Sequence, residues 1–240
     1  MGRVDWHNGR MVAFDLETTS VDPHDARIVT ACVAQVKPGV GVDEQTWLVN
    51  PGVPIPPETT EIHGVTDEQA QADGADPAMV VSAIADQLGA AWDLGLPVVA
   101  MNAAYDLTVL DTEMGRHGLG TLRGLQMLVV DPLVCDRKLD RFRKGKKRLS
   151  DLCQVYGVEL GDDAHTAEVD AVAAARVVWR MVERFPDDLQ VDLWSLQEAQ
   201  ASWHREWAVD FEGYLRRVKD DPSIVIERGW PLRAAAEVSS

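Results

Sequence analysis

MVAFDLETTS, residues Met11 to Ser20, is an apolar run that closes on two acids, Asp15 and Glu17, separated by one leucine. In an extended chain, side chains two apart point to the same side, so these carboxylates share a face and repel each other unless something positive holds them. MVAFDL therefore reads as a first strand with a charged end. RIVTACVAQV (Arg27 to Val36) is apolar enough for a central strand, and TWLVN, reached through the turn residues of KPGVGVDEQ, reads as a third. Together they form an antiparallel meander.

Further along, strands alternate with helices. PGVPIPPE is too proline-rich for either regular element, and DPAMVVSAIADQLGAAW then shows helical spacing through Met79, Ile84, Leu88 and Trp92, with Asp76-Pro77 as cap and first turn. LPVVAMN is a short strand followed by the helix AYDLTVLDTEMGRHG. LQMLVVDPLV is another strand, running into a helix near Pro132. LSDLCQVYG is a short helix, and TAEVDAVAAARVVWRMVERF is a long one whose alanines permit close packing on a sheet. Three strands followed by alternating strands and helices specify a mixed-sheet α/β domain over residues 1–185. Residues 186–240 form a C-terminal helical extension: Leu189, Leu193, Leu196, Trp203, Trp207, Phe211 and Tyr214 recur at helical spacing, and the tail from Val218 is expected to fray.

Composition narrows the class. At 46% hydrophobic and 26% charged, 240 residues suffice for a sizeable core. Three scattered cysteines argue against a zinc site or disulfide framework and suit a reducing compartment. MGRVDWHNGR lacks a signal peptide's apolar segment, and no run is long enough to span a membrane, so a cytoplasmic protein without a membrane partner is expected. The net charge of -16 counts against a polyanionic partner, yet RKLDRFRKGKKR, Arg137 to Arg148, gathers eight basic residues and one acid. Such a run is either a solvated loop or a clamp for a phosphate backbone.

Two further acids match the first pair. Asp106 follows the strand LPVVAMN near a helix start, and Asp170 lies in the first turn of the alanine-rich helix on its apolar side, where an acid is costly unless paired or metal-bound. Four carboxylates from separate segments make a hard-oxygen site suited to Mg²⁺ or Mn²⁺, and two such ions support in-line phosphoryl displacement. His165, just ahead of Asp170, has the ordinary pKa of a general base.

FDLET (Phe14 to Thr18), NAAYD (Asn102 to Asp106) and HTAEVD (His165 to Asp170) together resemble the three motifs of the DEDDh group of 3′-to-5′ exonucleases, the DnaQ-like family that includes the epsilon proofreading subunit of bacterial DNA polymerase III, ribonuclease T and oligoribonuclease. The likeness covers roughly Arg10 to Phe185, and IHGVT within Pro56 to Glu68 is similar to the epsilon-like branch. It departs at Met101, where many relatives carry histidine. The resemblance implies a ribonuclease H-like fold with a mixed five-stranded sheet flanked by helices. It further implies two divalent ions on Asp15, Glu17, Asp106 and Asp170, with His165 as general base. Thr18, Glu58 and His63 would contact the terminal nucleotide. In that context Arg143, Lys144, Lys146, Lys147 and Arg148 become a backbone clamp bordering the groove. The expected activity is 3′-to-5′ hydrolysis of single-stranded DNA to nucleoside 5′-monophosphates, in proofreading or repair. The alternatives are an RNA 3′-end exonuclease and an adaptor whose C-terminal helix contacts a DNA polymerase or a second copy.

Overall fold

Alternating residues of β1 (Met11–Thr18) bury both of its faces. Val12, Phe14 and Leu16 enter one core layer, whereas Met11 and Ala13 enter the other, so Asp15 and Glu17 continue the second row. The structure, a computed structural model, describes residues 3–160 and 166–235. β1 pairs antiparallel with β2 (Ile28–Lys37), which pairs antiparallel with β3 (Gly41–Leu48). β1 also pairs in parallel with β4 (Val98–Val99), and β4 with β5 (Val129–Val130). The order β3-β2-β1-β4-β5 is the expected mixed five-stranded sheet with flanking helices. β3 begins earlier than its turn-like residues imply, because β2 continues to Lys37 and offers Val42 to Gln45 a full ladder.

The proline-rich stretch forms no regular element over residues 51–56, and two short helices that the sequence reading does not include follow it, α1 (Pro57–His63) and α2 (Asp67–Asp73). Pro57 starts α1 in the first turn, where the missing N–H is harmless. Thr66 and Gln69 form a reciprocal capping box on α2. α3 (Pro77–Asp93) and α4 (Ala103–Arg116) cover one face; α3 presents Val80, Val81, Ile84, Leu88 and Trp92 to the core, leaving Met79 exposed rather than in the stripe. α7 (Ala167–Arg184) covers the other face through Ala171, Ala174, Ala175 and Val178, with α5 (Pro132–Leu139) and α6 (Leu149–Tyr156) beside it.

After the short α8 (Pro186–Leu189), the long helix α9 (Leu193–Lys219) closes the open edge of β5 with side chains. Gln197 accepts from Val129 N at 2.8 Å; Gln200 accepts from Asp131 N at 2.8 Å and donates to Val129 O at 2.9 Å. An edge strand's unpaired amides are thereby satisfied without another strand. Within the described residues the tail is anchored rather than frayed: Trp230 is buried in the core, and Arg233 N donates to Thr108 Oγ1 at 2.9 Å. None of the described helices is long and apolar enough to cross a membrane.

Candidate active site

The C-terminal ends of β1, β4 and β5 lie at one edge, and the first turns of α4 and α5 start there. Asn102 enters α4 in the left-handed region, φ 63°, a conformation that asparagine tolerates better than most residues. Asp131, buried, accepts from Asn102 N at 3.1 Å and Ala103 N at 3.0 Å and also caps α5, so it ties the two helix starts together. The result is an Asp106 carboxylate only 4% exposed, accepting from Leu16 N at 3.2 Å across 90 residues of sequence.

Asp15 and Glu17 stand on the β1 face that α7 covers, opposite Cys32 and Thr30 of β2. Asp170, half-buried in the first turn of α7, approaches from above. Burial pushes the Asp15 carboxyl well above the usual range, and the charges of Asp106, Glu17 and Asp170 push it further. Burial and Asp170 raise Glu17 to about 7. Asp106 is also raised, by burial first, against the opposing pull of the Leu16 amide. The four predicted carboxylates therefore share one electrostatic site.

This donor set fits a hard divalent cation. Its oxygens are desolvated and mutually repelling, and among the described residues no Lys or Arg forms an ion pair with Asp15, Glu17 or Asp106. The carboxylates line the site without closing it: among the described residues no three such side chains are already drawn into a cation-binding cluster.

A stability consequence follows from Glu17. Its folded-state pKa lies above the unfolded value of 4.5, so its contribution is fully present below pH 4.5 and lost as pH rises through about 7. We expect the melting temperature of EDTA-treated protein to fall across that window, by the equivalent of ~3 kcal/mol at most, and to recover at pH 8 on adding Mg²⁺. Glu17→Gln should flatten the profile; an unchanged slope in that variant would rule out the linkage.

Thr18 shares a short hydrogen bond with the Tyr105 hydroxyl, and both bond Ser20 O. Tyr105 was legible only as the neighbour of Asp106 in NAAYD, and its ring borders the carboxylates: burial raises its hydroxyl to about 12, with Asp106 and Glu17 adding to the rise. His63 ends α1 and lines a cavity of about 220 Å³ with Thr30, Trp47, Thr166 and Glu168, at the start of α7. Its Nδ1 accepts from Val65 N at 3.2 Å. Its Nε2, by contrast, is buried without a partner among the described residues. Glu58 is exposed in the first turn of α1. His165 lies outside the described residues.

The basic segment is partly engaged within the chain. Its loop meets the C-terminal end of α7, with Arg184 at 3.8 Å from Asp140, roughly 20 Å along the helix from Asp170. Arg143 and Lys147 both bind the fully buried Asp136, which also accepts from Tyr156 Oη at 2.9 Å, and Arg148 pairs with Asp151 at 3.1 Å. Lys144 and Lys146 are exposed. Satisfying a buried carboxylate, which charge counting along the sequence does not register, draws part of this run inward.

Comparison with known proteins agrees with this geometry. Residues 12–178 match the exonuclease family of RNase T type. Among curated proteins, the chain is 29% identical over 176 residues to a DNA polymerase III of PolC type from Halalkalibacterium halodurans, and 29% identical over 172 residues to one from Streptococcus thermophilus. These alignments cover 73% and 72% of this chain but only 12% and 11% of the relatives. Among solved structures, exonuclease I of E. coli in complex with a dA16 oligonucleotide superposes with a TM-score of 0.64 at 18% identity, over 75% of this chain and 42% of that one. Exonuclease I of Methylocaldum szegediense gives 0.62 at 20% identity, over 83% and 46%. Another E. coli exonuclease I structure, at 0.63 and 19% identity over 75% and 41%, holds a zinc ion and single-stranded DNA.

Proposed function

Because the chain belongs to this exonuclease family, we propose that it is a 3′-to-5′ exonuclease acting on single-stranded nucleic acid, DNA in preference to RNA, and releasing nucleoside 5′-monophosphates. The observation that carries this reading is the convergence of Asp15, Glu17, Asp106 and Asp170 into one desolvated, self-repelling site at the sheet edge. Those four residues would hold two Mg²⁺ or Mn²⁺ ions, which when bound supply Lewis acidity for the attacking water and the leaving oxygen. The chain's own part is to fix the carboxylates in place. β1 aligns Asp15 with Glu17, the Leu16 amide orients Asp106, and α7 brings Asp170 over them. His165, adjoining α7 in sequence, would take the proton from water, a task for which an imidazole is suited near neutral pH. Thr18, steadied by Tyr105, adjoins Glu17 on β1, and His63 shares a cavity with Thr30, the β2 partner of Glu17; a terminal nucleotide would rest against both.

Preference for DNA draws on neighbours captured with deoxyoligonucleotides. A role in proofreading or repair, and a polymerase contact through α9, draw on the polymerases among the relatives. Such a contact would use the outer face of α9 with Val209 and Tyr214, since Leu196, Gln200 and Ala208 are buried within the chain.

The test is a panel of 5′-labelled DNA and RNA oligomers of equal sequence in Mg²⁺, Mn²⁺ or EDTA. We expect stepwise shortening from the 3′ end with mononucleotide products in either metal, faster on DNA, and none in EDTA. Internal cuts, 5′-end release or cleavage in EDTA would overturn the reading.

A further inference from the structure

The active site has a surplus of negative charge, and its proposed substrate is a polyanion, so a cation must meet the strand where it approaches. Several cations just before β2, on α4 and in the segment after it are engaged in ion pairs: Arg27 and Arg116 with Glu113, at 3.4 and 2.6 Å, and Arg123 with Asp111, at 3.0 Å. Arg233 differs. Its guanidinium carbon stands 5.8 Å from the centre of the Tyr105 ring, on the residue that precedes Asp106 and bonds Thr18. It forms no ion pair within 4.0 Å among the described residues, although Glu227 and His204 lie within its field.

Its backbone is fixed. Arg233 N donates to Thr108 on α4, and Arg123 Nη2 donates to Arg233 O at 2.9 Å. Three residues earlier Trp230 is buried, its indole N–H reaching Asp131 at 3.4 Å, the carboxylate that sets the start of α4. The chain thus travels from the far end of α9 back to the active-site edge and leaves one half-exposed guanidinium beside Tyr105. Arg233 also lies outside the stretch matched by the exonuclease family, residues 12–178.

We propose that Arg233 is a substrate-binding residue of the cleft, holding a backbone phosphate of the strand upstream of the scissile bond. This rests on the exonuclease reading above. A planar guanidinium held 5.8 Å from the centre of an aromatic ring is suited to bidentate contact with phosphate oxygens, which an ammonium reproduces only in part.

Arg233→Ala and Arg233→Lys are compared with the full chain on a single-stranded DNA decamer and on the 4-nitrophenyl ester of thymidine 5′-monophosphate, which has no upstream phosphate. For the alanine variant we expect about a tenfold loss of kcat/KM on the decamer, carried by KM, and less than threefold on the ester. The salt dependence of decamer binding should fall by about one unit of slope. Arg233→Lys should recover part of the loss. Equal losses on both substrates would mean that Arg233 only props Tyr105, and unchanged KM and salt slope would leave it no role; either overturns the proposal. If the unaltered chain cleaves neither substrate, the exonuclease reading fails. Fluorescence anisotropy on the labelled decamer then decides Arg233 alone, with a tenfold weaker Kd in the alanine variant supporting the proposal and an equal Kd overturning it.

Discussion

Asp15→Asn is expected to abolish metal-dependent release of mononucleotides, by roughly a thousandfold or more, while making the metal-free protein more stable at pH 8. The two effects have one cause. Asp15 is surrounded by Asp106, Glu17 and Asp170, and burial already holds its carboxyl far above the ordinary range. Forcing it to ionise at pH 8 opposes folding, and asparagine removes that charge while keeping the shape. A site selected only for stability would not place four acids here. Activity on the labelled decamer and the melting temperature in EDTA are measured on the same preparation. Retained activity would remove Asp15 from the chemistry, and a lower melting temperature would show that the carboxylate stabilises the fold instead.

Removing residues 187–240 is expected to leave an insoluble chain rather than an active remainder. The deletion uncovers Val129 and the Asp131 amide at the edge of β5, takes Leu189, Leu196 and Trp230 from the core, and removes the Trp230 bond to Asp131. An unpaired strand edge beside newly exposed apolar surface favours association over folding. Gln200→Ala isolates one part of this. With Gln200 fully buried, the variant leaves a backbone donor and an acceptor unsatisfied and should lose about 2–4 kcal/mol in urea unfolding. A soluble, fully active 1–186 fragment would contradict this account and favour α9 as a recruitment arm.

Much of the site could be read along the chain because strand and helix periodicity are local. Alternation put Asp15 and Glu17 on one face, and the 3.6-residue repeat put Asp170 on the apolar side of α7; both placements hold in the structure. Tyr105 escaped notice because its role depends on Thr18, 87 residues distant, and on the turn at Ser20. Arg143 and Lys147 show the converse. Their charges were conspicuous in sequence, but the buried Asp136 that takes them carries no such signal, since nothing in PLVCDRKL reveals that its acid faces inward.

By itself the sequence determined the order of the strands and the longer helices, the mixed sheet and the four candidate carboxylates, because each follows from spacing and polarity within a few residues. Only the tertiary structure decided where the remaining charges point and what the C-terminal region does. Closing the edge of β5 with Gln197 and Gln200, and returning Arg233 to Tyr105, depend on contacts between segments tens of residues to more than a hundred apart. Those contacts are set by how much surface each segment can bury once the sheet exists, a quantity that no local pattern encodes.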